Sequence, residues 1–243
     1  MKPPLHDQVA LVTGAGRGIG RAIALRFAHA GCRVAALARS EPELAETVRA
    51  AAADGVSAPV LAVSADVTSD DDLAVAVRRI ADRLGRITIL VNNAGFAPPR
   101  TSVLKSALAD WDRTLATCLR APMVLARLVL PDMLAQGSGA ILNIVSVAGK
   151  RGRAGEAAYA AAKFGLLGFT QSLFDEVRNH GIKITAILPG LVDTALIPPN
   201  KRVDRAKFLQ ACDVAEVAYD VVASSARACP TEIVLEPQHD PEV

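Results

Sequence analysis

Aromatic residues are scarce in this chain: six Phe, two Tyr and one Trp among 243 residues. So few rings argue against a stacking pocket for large flat substrates. Charge of one sign is missing too. Lys and Arg number 27 against 25 Asp and Glu, which gives no general case for a nucleic-acid or membrane partner. The cysteines are only four (Cys32, Cys118, Cys212 and Cys229), far apart and without CxxC spacing. That excludes a disulfide frame or a zinc site and leaves buried free thiols in a reducing cytoplasm; no metal is expected. No apolar run is expected to approach the length that spans a bilayer. The opening "MKPPLHDQ" lacks the apolar centre of a signal peptide. Together these point to a cytoplasmic protein.

What is there is a hydrophobic half, 51% of residues, enough for a sizeable core. Short β-branched apolar runs alternate with longer helical patterns. "QVALVTG", "RVAALA", "PVLAVSAD", "ITILVNNAG", "GAILNIVS", "IKITAILPG" and "TEIVLEP" read as strands. Helices are predicted from Gly18 to Ala30, after an N-cap at Ser40, over "SDDDLAVAVRRIADRLG", across Leu108 to Gln136, from Glu156 to His180, and near Asp213 to Ala226. Pro122 and Pro131 are expected to punctuate the fourth of these. Strands too continuously apolar to face water, separated by helices, imply an α/β fold. Its seven-stranded parallel sheet is doubly wound, with helices on both faces in three layers. No linker or repeat interrupts the pattern, so residues 1–243 read as one domain. The stretch from Asp193 to Ala211, charged and broken by prolines, is either a substrate loop or a plain connector.

"TGAGRGIG" follows the first strand and opens the first helix. The spacing is GxxxGxG, with Gly14, Gly18 and Gly20, and Arg17 and Ile19 lie within the turn. Glycines let the backbone turn sharply and approach a pyrophosphate at a helix N-terminus. A Gly-rich turn without a ligand is the plainer reading of the motif alone; after the first strand of a βαβ pattern, dinucleotide binding is favoured. An acid at the end of the second strand would accept from a ribose 2′-hydroxyl. That place holds Ala38 followed by Arg39, and Arg17 sits in the turn. Two guanidinium groups suit a 2′-phosphate, so NADP(H) is expected over NAD(H).

"YAAAK", Tyr159 to Lys163, puts a phenol and an ammonium one helical turn apart on a nearly bare face. With "TGAGRGIG", "DVT" (Asp66 to Thr68), "NNAG" (Asn92 to Gly95), "NIVS" ending at Ser146, and "PGLVDT" (Pro189 to Thr194), the chain resembles the short-chain dehydrogenase/reductase family. The motifs run in the family's order from Val9 to Thr194. The resemblance implies a Rossmann-type sheet and nicotinamide-dependent interconversion of an alcohol and a carbonyl. It assigns Asp66 and Val67 to the adenine, and Asn92, Ala94 and Gly95 to the cofactor ribose and central sheet. Pro189, Gly190, Val192 and Thr194 go to the nicotinamide end. Ser146, Tyr159 and Lys163 become the catalytic residues, the last two also touching the cofactor.

The chemistry agrees. Carbonyl reduction needs a hydride from the cofactor and a proton from the protein. A free tyrosine is too weak an acid, and nearby positive charge from Lys163 and the oxidised nicotinamide is expected to lower its pKa. Ser146 would donate to the substrate oxygen. The family usually places an Asn in "WDRTLATCLRAP", where this chain has Cys118. Cys118 as a nucleophile is the sharp alternative, with no His partner nearby in sequence.

The substrate is read less sharply. Lys150, Arg151 and Arg153 form either a carboxylate or phosphate subsite or, more simply, a solvated basic loop. The tail "TEIVLEPQHDPEV" lacks the Asp-Gly-Gly ending common in ketoacyl-reductase-like members and is more similar to members acting on hydroxy acids or varied small carbonyls. The resemblance implies a homotetramer, with a homodimer second, through a face of Ala158, Ala161, Ala162, Gly165 and Phe169. Two classes of function remain: an NADP(H)-dependent oxidoreductase of small carbonyls or alcohols, and a non-catalytic NADP(H)-binding regulator on the same fold.

Overall fold

The fold is described from a computed structural model, over residues 5–197 and 203–241. Seven strands form one parallel sheet: β1 (Val9–Thr13), β2 (Arg33–Ala38), β3 (Val60–Ser64), β4 (Ile89–Asn92), β5 (Gly139–Ile144), β6 (Ile182–Pro189) and β7 (Glu232–Leu235). Their order is β3-β2-β1-β4-β5-β6-β7. The chain winds outward from β1 to β3, then restarts beside β1 at β4. This leaves a crevice at the carboxyl ends of β1 and β4, where ligands bind in open α/β sheets.

Strand alternation divides the core in two. Ala10, Val12, Val34, Ala36 and Val91 face one layer with α1 (Gly18–His29), α2 (Glu41–Ala53) and α7 (Ala211–Ala223). Val9, Leu11, Ala35, Leu37 and Leu90 face the other, with α3 (Asp70–Leu84), α5 (Ala121–Gln136) and α6 (Ala157–Val177). Every central strand is therefore apolar on both sides, which is why its sequence shows no polar alternation. Helix starts follow local chemistry. The Ser40 hydroxyl accepts from the Glu43 N–H, and Ser69 accepts from the Asp72 N–H at 3.2 Å.

The region Leu108–Gln136 departs from expectation. It is one continuous helical stretch of 29 residues: α4 (Leu108–Leu115), a π-turn (Ala116–Arg120) and α5. Neither proline breaks it. Pro122 is the second residue of α5, just past the π-turn, where the ordinary i→i−4 ladder is already interrupted, so its missing N–H costs little. Pro131 is carried inside α5. By length and composition this helix could cross a membrane, contrary to the expectation that no run comes near. Its apolar residues have another explanation: Leu125, Ala126, Val129 and Met133 are buried in the core under the sheet.

A buried polar chain ties the sheet to α6. Asn92 Nδ2 donates to Asn143 Oδ1 on the neighbouring strand at 2.8 Å. Asn143 Nδ2 donates to Thr170 Oγ1 at 2.8 Å, and Thr170 donates to Leu166 O.

The cysteines are free, as their spacing implies, but only Cys32 and Cys118 are buried. Cys212 is exposed because it opens α7 at the surface. The face expected to meet a partner also divides. Ala162 is fully buried, and Gly165 lies against Leu119 within the same chain, where a Cβ would stand 3.0 Å from a leucine methyl. Ala161 and Phe164 remain outward.

Candidate active site

A cleft of about 990 Å³ opens over the carboxyl ends of the central strands. Its first wall is the turn after β1. Gly14 has φ +64° and Gly18 φ +54°, conformations that side-chain-bearing residues rarely adopt. Gly20 does not line the cleft. A Cβ there would fall 2.3 Å from Gly14 O, so this glycine seats α1 against the turn. The N-terminus of α1 carries no side-chain cap and no acid in its first turn, unlike α2 and α3. Its free N–H groups and dipole point at the cleft, so the turn fits a pyrophosphate.

The second wall follows the ends of β2 and β3. Ala38, Arg39, Ser40, Glu43, Asp66 and Val67 line it with Arg17. Arg17 Nη1 stands 3.3 Å from Glu43 Oε1, and Arg39 Nη1 stands 3.8 Å from Asp66 Oδ2. Partial burial acts upward on the Asp66 carboxyl. Hydrogen bonds from the Thr68 N–H and hydroxyl and the charge of Arg39 outweigh it, and hold Asp66 below the usual carboxylate range.

The third wall carries the three catalytic candidates. Ser146, just beyond β5, lines the cleft with Tyr159 and Lys163. The Ser146 hydroxyl accepts from the Ala148 N–H at 3.1 Å. Lys163 is 4% exposed. Its Nζ lies 5.6 Å from the Tyr159 ring centre and donates to Ile144 O at 2.8 Å. Burial pushes the phenol up, Cys118 and Glu156 add to the rise, and the Ser146 hydroxyl opposes it. Burial also pulls the Lys163 ammonium down. Within the protein alone, then, Tyr159 is not the acidified phenol that its spacing to Lys163 implies. Loss of water is the largest cause.

Of the sequence candidates, Gly14, Arg17, Gly18, Ile19, Arg39, Asp66, Val67, Ala94, Gly95, Pro189, Gly190, Val192 and Thr194 line the cleft with the three catalytic candidates. Asn92 does not: it points into the sheet toward Asn143, and Asn93 lines the cleft in its stead. Asn93 Nδ2 donates to Thr13 O at 2.8 Å, holding the ends of β1 and β4 together. Lys150, Arg151 and Arg153 lie outside the lining; Lys150 is ion-paired with Glu232, and Arg153 is also engaged. The side chain of Cys118 is fully buried in the π-turn. Its Sγ accepts from the Phe96 N–H and donates to Phe96 O, both at 3.3 Å. It fastens the helix to the segment after β4 and faces no substrate.

Phe96, Arg113 and Thr117, which the sequence did not single out, also line the cleft, as do Ala195 to Ile197 from the stretch read as a substrate loop or connector. The Arg113 guanidinium stacks 4.0 Å from the Phe96 ring centre, a contact between segments with no shared motif. Residues 198–202 of the Asp193–Ala211 stretch lie outside the described residues. The described part is organised by Arg205, which binds the Asp193 carboxylate and donates to Thr194 O at 3.1 Å and Ile197 O at 2.9 Å. Thr194 in turn reaches the glycine turn, 3.3 Å from where a Gly18 Cβ would be.

Comparison with known proteins matches this geometry. The family model described as short chain dehydrogenase covers residues 8–203. A 3-oxoacyl-[acyl-carrier-protein] reductase of Synechocystis sp. is 39% identical over 191 residues, 78% of this chain and 76% of that protein. An acetoacetyl-CoA reductase of Allochromatium vinosum is 42% identical over 191 residues, again 78% and 76%. Among solved structures, a metagenomic short-chain oxidoreductase in complex with NADP superposes with a TM-score of 0.85 at 31% identity, over 97% of this chain and 99% of the other. Levodione reductase superposes with 0.88 at 29%, over 94% and 96%. With the glycine turn, the serine, the tyrosine and the lysine gathered on one cleft of a seven-stranded parallel sheet, the chain belongs to the short-chain dehydrogenase/reductase family.

Proposed function

We propose that this protein is an NADP(H)-dependent oxidoreductase that transfers a hydride between the nicotinamide and a small carbonyl or secondary alcohol. The single observation that carries the reading is the meeting of Ser146, Tyr159 and Lys163 in the same cleft as an uncapped helix N-terminus. A bound nicotinamide supplies the hydride. Gly14, Arg17, Gly18, Ile19 and the α1 N–H groups hold the pyrophosphate side, with Gly20 seating the helix. Asp66 and Val67 border the adenine, and Arg17 and Arg39 approach the ribose. Ala94, Gly95, Pro189, Gly190, Val192 and Thr194 hold the nicotinamide side.

Ser146 donates to the substrate oxygen and stabilises the negative charge that builds there. Tyr159 delivers the proton to that oxygen. Burial keeps the phenol in its proton-bearing form at neutral pH but also makes it a weaker acid. Lys163 balances the phenolate left behind.

The substrate end is lined by Phe96, Ala195, Leu196 and Ile197, so its walls are mainly apolar. The basic loop at Lys150 lies outside it, which disfavours a dedicated carboxylate subsite there. Both curated relatives described above are named for 3-oxoacyl-type substrates. We therefore take a 3-oxoacyl thioester as the first substrate class, ahead of free oxo acids. The test follows NADPH absorbance with acetoacetyl-CoA, a simple β-keto ester and a free oxo acid, using Tyr159→Phe as control. Turnover of the first two by wild type alone supports the reading. Equal inertness of wild type and variant, with NADPH still bound, favours a sensing protein.

Residues 1–243 are taken as one cytoplasmic catalytic unit that assembles as a homotetramer, or else a homodimer. Supporting this, Leu104, Leu108, Met123 and Phe164 are large apolar side chains exposed on or beside the α4–α5 helix and α6. Sedimentation as a monomer at micromolar concentration rules out both assemblies.

A further inference from the structure

The corner of the cleft at the end of β2 holds two guanidinium groups and two carboxylates: Arg17 with Glu43, and Arg39 with Asp66. Its formal charge is balanced, whereas a corner built only for a dianionic phosphate would carry an excess of positive charge. Asp66 turns away toward Thr68, which occupies Oδ1 with two hydrogen bonds. Glu43 stays in the cleft, and its position is fixed. Its N–H is capped by Ser40, and its carbonyl accepts from Thr47 Oγ1 at 3.2 Å and from Arg21 Nη2 at 3.3 Å. Its stem lies against the glycine turn: a Cβ on Gly16 would fall 2.9 Å from Glu43 Cβ and 3.0 Å from Oε2. The same point is 3.5 Å from Ala38 Cβ, so Glu43 reaches the place left empty where β2 ends in alanine.

We propose that Glu43 is a specificity-determining residue that sets how strongly the protein prefers NADP(H) over NAD(H); this rests on the cofactor reading above. In dinucleotide-binding sheets the end of the second strand meets the adenosine ribose. A 2′-phosphate seated there takes Arg17 away from Glu43 and meets the carboxylate at close range, which is repulsive. A 2′-hydroxyl finds in the same carboxylate an acceptor. Glu43 thus narrows a preference that Arg17 and Arg39 create. It does so from the first turn of α2, not from the strand end where an acid is normally sought.

The test is direct binding, not turnover: titration of NADPH and NADH by quenching of intrinsic fluorescence, at low and at physiological salt. Glu43→Gln should raise the NADPH:NADH affinity ratio about fivefold, the scale of two unit charges some 4 Å apart in water. The gain should shrink with salt. Glu46→Gln is the control, since that carboxylate pairs with Arg49 on the same helix outside the cleft lining. An unchanged or lower ratio in Glu43→Gln, or an equal shift in Glu46→Gln, overturns the proposal while leaving the cofactor reading standing. Wild type that binds neither nucleotide overturns the cofactor reading itself.

Discussion

The two ends of the cleft differ in how much water they hold. At the adenosine end, the Arg17 and Arg39 side chains are 66% and 62% exposed, and their ion pairs are long and screened. At the end that holds the catalytic candidates, Lys163 is 4% exposed and donates to Ile144 O, and Cys118 is fully buried with its Sγ bonded to Phe96. Charges in water exchange partners at little cost, so the wet end can tune affinity for a ligand without disturbing the fold. Charges out of water cannot, so the dry end tolerates few substitutions and gives each a large effect.

The sharpest test of this contrast is Tyr159→Phe. It should lower kcat by about 10²–10⁴-fold, the usual worth of a positioned proton donor, with NADPH affinity within about twofold of wild type. Steady-state kinetics beside fluorescence titration separates the two. A comparable loss of affinity would place the phenol in binding and dissolve the distinction between the ends.

The next effect is on pH dependence. Because burial raises the Tyr159 pKa, the phenolate fraction falls about tenfold for each pH unit below it. Alcohol oxidation, which needs phenolate as base, should climb with pH through the neutral range. Ketone reduction, which needs phenol as acid, should stay nearly flat from about pH 6 to 8. An oxidation rate that has already levelled off below neutral pH would show that bound nicotinamide and Lys163 overcome the burial.

Stability effects come third. Cys118→Ala removes both Sγ contacts to Phe96 and should cost about 1 kcal/mol in urea denaturation. Cys118→Ser, which keeps a donor and an acceptor, should retain most of it. If both variants denature like wild type, the thiol does not fasten the π-turn.

The smallest effect belongs to a half-exposed latch. Arg205→Gln should raise KM for cofactor about threefold, because an exposed ion pair is worth little, while kcat changes less. Arg205→Lys, which keeps the charge, should recover part of it. An equal fall in kcat would move Arg205 from positioning the Thr194 wall to shaping the catalytic end.

The sheet was legible in sequence because parallel strands covered on both faces leave uninterrupted apolar runs, and all seven lie where those runs are. Ser146, Tyr159 and Lys163 were legible through spacing, since a strand end and one helical turn fix them in space. What escaped depends on parity and on long-range packing. Of the neighbours Asn92 and Asn93, only the register of β4 against β5 decides which faces the cleft. Pro131 reads as a helix breaker locally, yet burial of its helix against the sheet overrides that preference. In sequence Glu43 is simply an acid three residues after the Ser40 N-cap. Its reach to Gly16 and Arg17 exists only once α2 folds back beside the glycine turn.

The Asn92–Asn143–Thr170 chain has a consequence for α6 as a mechanical part. Apolar contacts alone would let a smooth, alanine-rich rod rotate or creep along its axis with little penalty. A hydrogen bond from the sheet to one hydroxyl on that rod acts as a dowel: any turn or slip strands an amide in a dry interior. Tyr159 and Lys163 sit on the same rod, so the aim of both is clocked by a threonine two to three turns away that never meets a substrate.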